Sequence, residues 1–170
     1  QEVVGRQLSK LDTAIITKGT FTFEGVQDSA VNRYITSGKG NEALLIDFFL
    51  ENGKINIALT RDNDSATGTA NNDAYQEIRN KINVLNQKAT PLYESMRSAD
   101  ITDEQKEANM KELEKLEEEL GQVYKEGIEK NITNPVGIHL FKSNYYNMTT
   151  AENDALLQQI PAQFQNDETI

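Results

Sequence analysis

Apolar and polar side chains alternate over short runs in the first 70 residues, a period of two that is typical of strands with one buried face. The run Thr20–Gly25 reads Thr-Phe-Thr-Phe-Glu-Gly, so we expect a strand whose Phe21 and Phe23 side chains point into a core. The β-branched run Thr13–Ile16 precedes it, with Lys18–Gly19 between them as a turn signal. The pattern therefore predicts a first hairpin.

A second hairpin is predicted further along the same region. Leu44–Leu50 and Ile55–Leu59 are rich in apolar residues, and Asn52–Gly53 lies between them. Asn-Gly supplies the two positive-φ residues of a type I′ turn, whose twist matches that of the flanking strands. Val31–Thr36 is a further strand candidate, whereas Gln1–Leu11 shows no clear strand pattern.

From Asn72 the period changes to alternating steps of three and four residues, which is typical of a helix with one apolar face. Pro91 lies inside this pattern and is expected to kink or interrupt the helix, because it removes a backbone hydrogen bond. The stripe consists of seven residues: Tyr75, Ile78, Ile82, Leu85, Ala89, Leu92 and Met96.

A second long helix is predicted to begin at the capping-box sequence Thr102–Gln105. Its apolar stripe consists of Met110, Leu113, Leu116, Leu120, Val123 and Tyr124. Two such stripes joined by a short loop predict an antiparallel helical hairpin roughly 35 Å long, at 1.5 Å per residue. The stripes are therefore candidates for an internal core or an interaction surface.

Two shorter helices are predicted to follow. Asn134–Pro135 places a cap before a proline at the first helical position, and Thr149–Glu152 repeats the capping-box pattern. Pro161 is expected to end the last helix. The predicted fold class is α+β, with an antiparallel β-sandwich or open barrel over residues 1–70 and a helical arm over residues 71–170.

Composition narrows the possible partners. The 170 residues carry a formal net charge of −10, which repels phosphate backbones and anionic lipid surfaces, so nucleic acid and membrane-surface partners are not expected. The longest apolar run, Ala43–Leu50, is shorter than the ~20 residues that span a bilayer and contains Asp47. A transmembrane segment is therefore not predicted.

The sequence offers little for catalysis. There is no Cys and one histidine, His139, so thiolate chemistry and sites with two imidazole ligands are excluded. Asp62–Ser65 resembles the start of a calcium loop, but Ala66 and Thr67 replace the next ligand and the turn glycine, and we interpret it as a solvated loop. We predict no catalytic, cofactor-binding or metal-binding residues.

Several segments together resemble a known family. Leu11–Gly25 has a leucine-aspartate pair followed by the pattern glycine-x-phenylalanine-x-phenylalanine-x-glycine, and Phe48–Ile57, Gly68–Asn72 and Lys130–Gly137 continue the likeness. They resemble the N-terminal domain of unknown function, with its helical linker, that precedes the thioredoxin-fold domain in Bacteroidetes thiol-disulfide oxidoreductases. Those enzymes are TlpA-like members of the alkyl hydroperoxide reductase and thiol-specific antioxidant superfamily.

The resemblance implies an envelope or periplasmic protein, often a lipoprotein, whose Cys-x-x-Cys redox domain would follow Ile170. Because Gln1 is not a natural start, the sequence is expected to be a trimmed piece. Its role would be to position or dimerise the thioredoxin-fold domain. That redox domain is absent here, and the first strand of the family is not recognisable, so no redox residue can be carried over.

Two alternatives remain open at this stage. The chain is a ligand-binding envelope domain if aromatic residues of the β-region line a pocket for a peptide, a glycan or a small apolar molecule; the candidates are Phe21, Phe23, Tyr34 and Phe48. It is a homodimer if the Tyr75–Met96 stripe packs across two copies.

Overall fold

The computed structural model describes residues 1–4, 7–61 and 63–165, and the chain divides into two units, Gln1–Gln76 and Glu77–Ile170. The described strands are β1 (Glu2–Val4), β2 (Gln7–Ser9), β3 (Val31–Ser37), β4 (Leu44–Leu50), β5 (Asn56–Ala58) and β6 (Ser65–Thr67). The described α-helices are α1 (Ala70–Met96), α2 (Asp103–Asn131), α3 (Pro135–Asn144), α4 (Thr150–Leu157) and α5 (Ala162–Gln165). The predicted α+β class is confirmed.

The strands of the first unit form three antiparallel ribbons, β1–β2, β3–β4 and β5–β6. In the part of the chain that the structure describes, they do not close into a barrel. The strand predicted at Val31–Thr36 is confirmed as β3, which pairs with β4 over seven residues around Ile35 opposite Ile46.

Strand β4 is buried on one face and around Phe49 on the other, where Leu45 stays 50% exposed. On one face Ile46 and Phe48 are buried with Ala66 of β6. Partly buried residues surround this core: Ile35, Leu50, Ile55, Ile57 and Leu59. On the other face Phe49 is buried, and its ring meets that of Tyr75 edge to face, with centroids 5.4 Å apart.

The predicted hairpin between Leu44–Leu50 and Ile55–Leu59 is wrong, because β4 pairs with β3 and β5 pairs with β6. A type I′ turn needs positive φ at both central residues, and only Gly53 has it, at 137°. The Asn52 side chain instead binds both backbone groups of Gln27, at 3.0 and 2.7 Å. Tertiary hydrogen bonds therefore override the local turn preference.

The first predicted hairpin forms only at its tip. Lys18 and Gly19 have φ of 52° and 78°, and Thr17 and Thr20 exchange backbone hydrogen bonds of 2.8 and 3.1 Å. Beyond this bridge the residues from 21 to 27 form no strand. Phe21 is half-buried and Phe23 is 44% exposed. The prediction that both rings point into a core is therefore wrong for Phe23, because the described chain provides no strand beside it.

The region Gln1–Leu11 contains the β1–β2 hairpin that the sequence did not indicate. All three side chains of β2 are exposed, so there is no apolar alternation to detect. Backbone hydrogen bonds of 2.9 and 2.8 Å between Gln1 and Tyr34 place β1 beside β3.

In the second unit, α2 and the part of α1 from Glu77 onward run antiparallel. Gly127 is so close to Ile78 that a Cβ there would lie 3.0 Å from the Ile78 Cδ1 atom. At the far end the Asn109 amide donates to the Ser95 hydroxyl at 3.2 Å. Helix α1 continues through Pro91, so the predicted interruption is wrong. The carbonyl that loses its helical donor belongs to Gln87, an exposed residue. A kink at Pro91 stays a prediction.

The predicted starts of α2, α3 and α4 are confirmed, whereas α1 begins at Ala70 rather than at the predicted Asn72. The Thr102 side chain accepts from the Gln105 N–H at 3.2 Å, and Gln105 accepts from the Thr102 N–H at 3.0 Å. A second capping box of the same kind begins α4 at Thr149. Helix α3 begins at Pro135, where the Asn134 side chain accepts the backbone N–H groups of the first turn. These caps satisfy donors that helix starts otherwise leave unpaired.

Candidate functional site

The first candidate site is an exposed apolar segment of the first unit, Leu11–Val26, which we call the apolar segment. Five of its large apolar side chains are exposed by 44% or more: Leu11, Ile15, Ile16, Phe23 and Val26. Ile15 and Val26 are exposed by 85% and 88%. Exposed apolar residues this dense in one stretch are characteristic of interaction surfaces.

The backbone of the apolar segment is anchored at two points. Thr17 pairs with Thr20 at the turn, and the Asn52 side chain holds Gln27 just beyond the segment. Between these points no described hydrogen bond reaches the backbone of residues 21–26. The Phe21 and Phe23 rings pack edge to face on each other, with centroids 6.0 Å apart. The segment thus presents unpaired backbone groups together with apolar side chains.

The second candidate site is a groove of about 470 Å³ in the second unit. One wall belongs to α2 and the other to the segment from Asn144 to Met148. The lining residues are Glu117, Leu120, Gly121, Tyr124, Lys125, Ile128, Asn144, Asn147 and Met148. A Cβ on Gly121 would have no atom within 4 Å, so the absent side chain leaves this wall open. The lining combines apolar side chains with amides and charged groups.

The charged side chains along this groove differ in whether they form ion pairs. At one end the Lys125 ammonium binds the Glu152 carboxylate at 2.9 Å. This hydrogen bond, with others from the Thr149 backbone and hydroxyl, lowers the pKa of Glu152 to about 2. Toward the other end, Glu117 takes part in no described ion pair. Burial raises the pKa of the Tyr124 phenol between them, so the groove keeps a neutral hydroxyl donor at physiological pH.

Two tyrosines extend from the segment that forms one groove wall. The Tyr145 ring packs edge to face on Phe141 at 5.8 Å, and the Tyr146 ring packs on Tyr145 at 5.5 Å. Tyr146 is 95% exposed.

The helical stripe lies mostly inside the second unit. Its buried members are Ile78, Leu85, Leu113 and Leu116. Its half-buried members within this unit are Ile82, Ala89, Leu92, Met96, Leu120, Val123 and Tyr124, while Met110 is 51% exposed. Tyr75 lies in the first unit, where its hydroxyl donates to the Asp47 carboxylate at 2.8 Å. Two members of the stripe, Leu120 and Tyr124, line the groove.

The aromatic residues suggested for a pocket in the β-region do not come together in one site. Phe48 packs in the core with Ile46 and Ala66, while Phe23 is exposed. Burial, with the nearby Asp47 charge, raises the pKa of Tyr34. The groove was missed by sequence reasoning because it depends on how Asn144–Met148 folds against α2. The one local signal for it was the glycine at position 121 within a helix.

Within residues 1–4, 7–61 and 63–165, no group of three or more His, Cys, Asp or Glu side chains is arranged to hold a metal ion. Helices long and apolar enough to cross a membrane are not found in the same ranges. His139 is half-buried on α3. The loop at Asp62–Ser65 begins outside the described residues, so its interpretation as a solvated loop stays a prediction.

Comparison with known proteins gives one match. Residues 1–75 match the family described as a domain of unknown function (DUF4369). The match ends at residue 75, and the first unit ends one residue later, at Gln76. No curated protein and no solved structure matches the chain. The chain therefore carries an N-terminal domain of unknown function in its first unit.

Proposed function

We propose that this chain is a non-catalytic accessory module of an envelope thiol-disulfide oxidoreductase, which positions or dimerises a thioredoxin-fold domain located after Ile170. The proposal places the protein in the periplasm or cell envelope, lipid-anchored in its full-length form. It rests on the resemblance described for Leu11–Gly25 and the segments that follow it. The match of residues 1–75 to a domain of unknown function supports the N-terminal part of that resemblance.

The observation that carries an interaction role is the apolar segment. Burying exposed apolar surface stabilises an assembly by roughly 25 cal/mol per Å². A partner that covers exposed side chains such as Ile15 and Val26 would therefore gain binding free energy. Unpaired backbone groups in the same stretch add the capacity for strand pairing. A surface of this kind holds and orients a partner, and it does not make or break bonds.

The test of this proposal is the reading frame of the parent gene. We expect codons beyond Ile170 to encode a thioredoxin-fold domain with a Cys-x-x-Cys motif, preceded at the other end by a lipoprotein or secretion signal. A stop codon after Ile170 with no redox domain in the gene would contradict the proposal. So would an unrelated catalytic domain in that place.

The groove supports a second candidate function, the binding of a peptide, a glycan or a small apolar molecule. Its open wall at Gly121 and the apolar residues of its lining carry this alternative. The test is a thermal-shift screen with short peptides, oligosaccharides and fatty acids, repeated on Gly121→Phe, which fills the open wall. Ala108→Phe, on an exposed position of α2 outside the lining, is the matched control.

A ligand that acts through the groove raises the melting temperature of the original chain and of Ala108→Phe, but not of Gly121→Phe. Equal shifts in all three proteins, or no shift with any compound, would contradict this candidate function. The result does not depend on the parent gene, so the two candidate functions are tested separately.

A further inference from the structure

The one Asn-Gly pair of the sequence, Asn52–Gly53, lies between β4 and β5 and holds the end of the apolar segment. The Asn52 Oδ1 atom accepts the Gln27 N–H at 3.0 Å, and the Asn52 Nδ2 atom donates to the Gln27 carbonyl at 2.7 Å. Asn52 and Gly53 are both exposed, so water reaches the pair. A single side-chain amide thus anchors the segment at this end.

An asparagine followed by glycine reacts with its own backbone, because glycine has no Cβ to hinder the approach. The backbone nitrogen of Gly53 attacks the Asn52 Cγ atom, the bond between Cγ and Nδ2 breaks, and ammonia leaves with the proton of the N–H. Water then opens the resulting succinimide ring at one of its two carbonyls and leaves aspartate or isoaspartate. The net change consumes one water and releases one ammonia, so the reaction needs no other reagent.

The Gly53 N–H is available for this reaction, since no hydrogen bond in the described part of the chain engages it. Gly53 has a φ of 137°, a backbone conformation that residues with side chains rarely adopt. A Cβ at this position would lie 2.7 Å from the Thr69 Cγ2 atom. The fold therefore requires at position 53 the residue that makes Asn52 reactive.

The contact with Gln27 restrains the other reactant. Ring closure needs the Gly53 nitrogen about 3–3.5 Å from Cγ and in line with the attack on the amide carbon. Two hydrogen bonds fix the plane of the Asn52 amide, so the side chain rotates freely only when the contact opens. A reaction that proceeds from a rare open state follows the population of that state. We propose that Asn52–Gly53 is a site of spontaneous deamidation, gated by the Gln27 contact, whose product releases the end of the apolar segment.

The product cannot restore the contact. A carboxylate accepts hydrogen bonds but donates none, so the bond to the Gln27 carbonyl is lost and two oxygen atoms face each other there. Isoaspartate also lengthens the backbone by one methylene group. The apolar segment then keeps only its other described anchor, the Thr17–Thr20 bridge. The site is independent of the proposed function, because the reaction needs only this chain and water.

Peptide mass mapping during incubation at mildly alkaline pH measures the reaction. A blocked peptide of residues 50–55 contains the Asn-Gly pair without Gln27 and gives the ungated rate. Two hydrogen bonds of ordinary net strength lower the open population roughly tenfold, and we expect Asn52 in the chain to react slower than in the peptide by that factor. Gln27→Pro, which removes the N–H donor, is expected to react at least about threefold faster than the original chain. Val26→Pro removes a neighbouring N–H without a described hydrogen bond and is expected to keep the original rate.

The released state is tested with Asn52→Asp. We expect the order parameter of the Gln27 N–H, measured by NMR relaxation, to fall from about 0.85 to below about 0.6. Asn56→Asp adds the same charge at an exposed position of β5 and is expected to leave this value unchanged. The same comparison decides the question if circular dichroism shows that Gln27→Pro does not fold. Equal deamidation rates in the chain and the peptide, equal rates in the two folded proline variants, or equal order parameters in the two aspartate variants would overturn the proposal.

Discussion

The side-chain amide of Asn72 donates to the carbonyl of Phe49 at 2.7 Å and accepts from the N–H of the same residue at 2.9 Å. Both residues are buried. An asparagine amide thereby takes the place of a neighbouring strand along β4. Asn52 binds both backbone groups of Gln27 in the same way. Asn72 thus bonds the backbone near the end of β4, and Asn52, just after β4, bonds the backbone just before β3. These bonds replace the predicted β4–β5 hairpin.

Removing the Asn72 amide is expected to destabilise the first unit. Asn72→Ala removes both hydrogen bonds that its side-chain amide makes with the buried backbone of Phe49, and losing the partner of a buried polar group costs about 1–3 kcal/mol. We expect a loss of about 2–4 kcal/mol in the free energy of unfolding, measured by urea denaturation with circular dichroism. Asn86→Ala, on an exposed position of α1, serves as the control and is expected to change stability by less than about 0.5 kcal/mol. Similar losses in both variants would contradict the role assigned to Asn72.

Two phenylalanines of the first unit are expected to respond differently to truncation. Phe49 is 1% exposed and Phe23 is 44% exposed. Phe49→Ala is expected to cost about 3–5 kcal/mol, because it opens a cavity, while Phe23→Ala is expected to cost less than about 1 kcal/mol. Urea denaturation at low protein concentration makes the comparison. A large loss for Phe23→Ala would show that this ring lies in a core of the single chain after all.

Alanine substitutions at two glycines of the second unit are expected to have opposite effects on stability. A Cβ on Gly137 of α3 would overlap the backbone carbonyl of Asn131, whereas a Cβ on Gly121 of α2 meets open space. Gly137→Ala is expected to cost more than about 3 kcal/mol, since neither backbone can move away cheaply. Gly121→Ala is expected to stabilise the helix by up to about 1 kcal/mol. Thermal unfolding distinguishes them, and equal effects would contradict the close approach of α3 to Asn131.

The ion pair beside the groove predicts a pH dependence. The pKa of Glu152 is lowered from its usual 4.5 to about 2, chiefly by the hydrogen bond from Lys125. Its stabilising contribution is therefore complete above about pH 4.5 and is lost as the pH falls toward 2. We expect the melting-temperature difference between the original chain and Glu152→Gln to shrink through this window. For Glu114→Gln, which removes the same charge without a described ion pair, we expect no such trend.

Helix positions were predictable from sequence because their signals are local. The steps of three and four along α1 and α2, the capping boxes at Thr102 and Thr149, and the proline after Asn134 all specify structure within a few residues. Each of these predictions is confirmed. Pro91 was predicted to kink or interrupt α1, and of these two outcomes the interruption does not occur.

Strand pairing was harder to predict, because it depends on residues distant in sequence. Asn52–Gly53 is a strong local turn signal, yet the Asn52 side chain bonds to Gln27, 25 positions earlier. Asn72 similarly reaches 23 positions back to Phe49. Neither contact leaves a periodic pattern. The groove in the second unit has the same origin, since the segment from Asn144 to Met148 contributes a wall that no spacing rule indicates.

The most direct test of the accessory role is thiol-disulfide exchange by the complete gene product, followed as the reduction of insulin disulfides, beside the same assay on residues 1–170 alone. We predict that the complete product accelerates exchange and that residues 1–170 give the rate of the blank. Turnover by residues 1–170, or a complete product without exchange activity, would contradict the account.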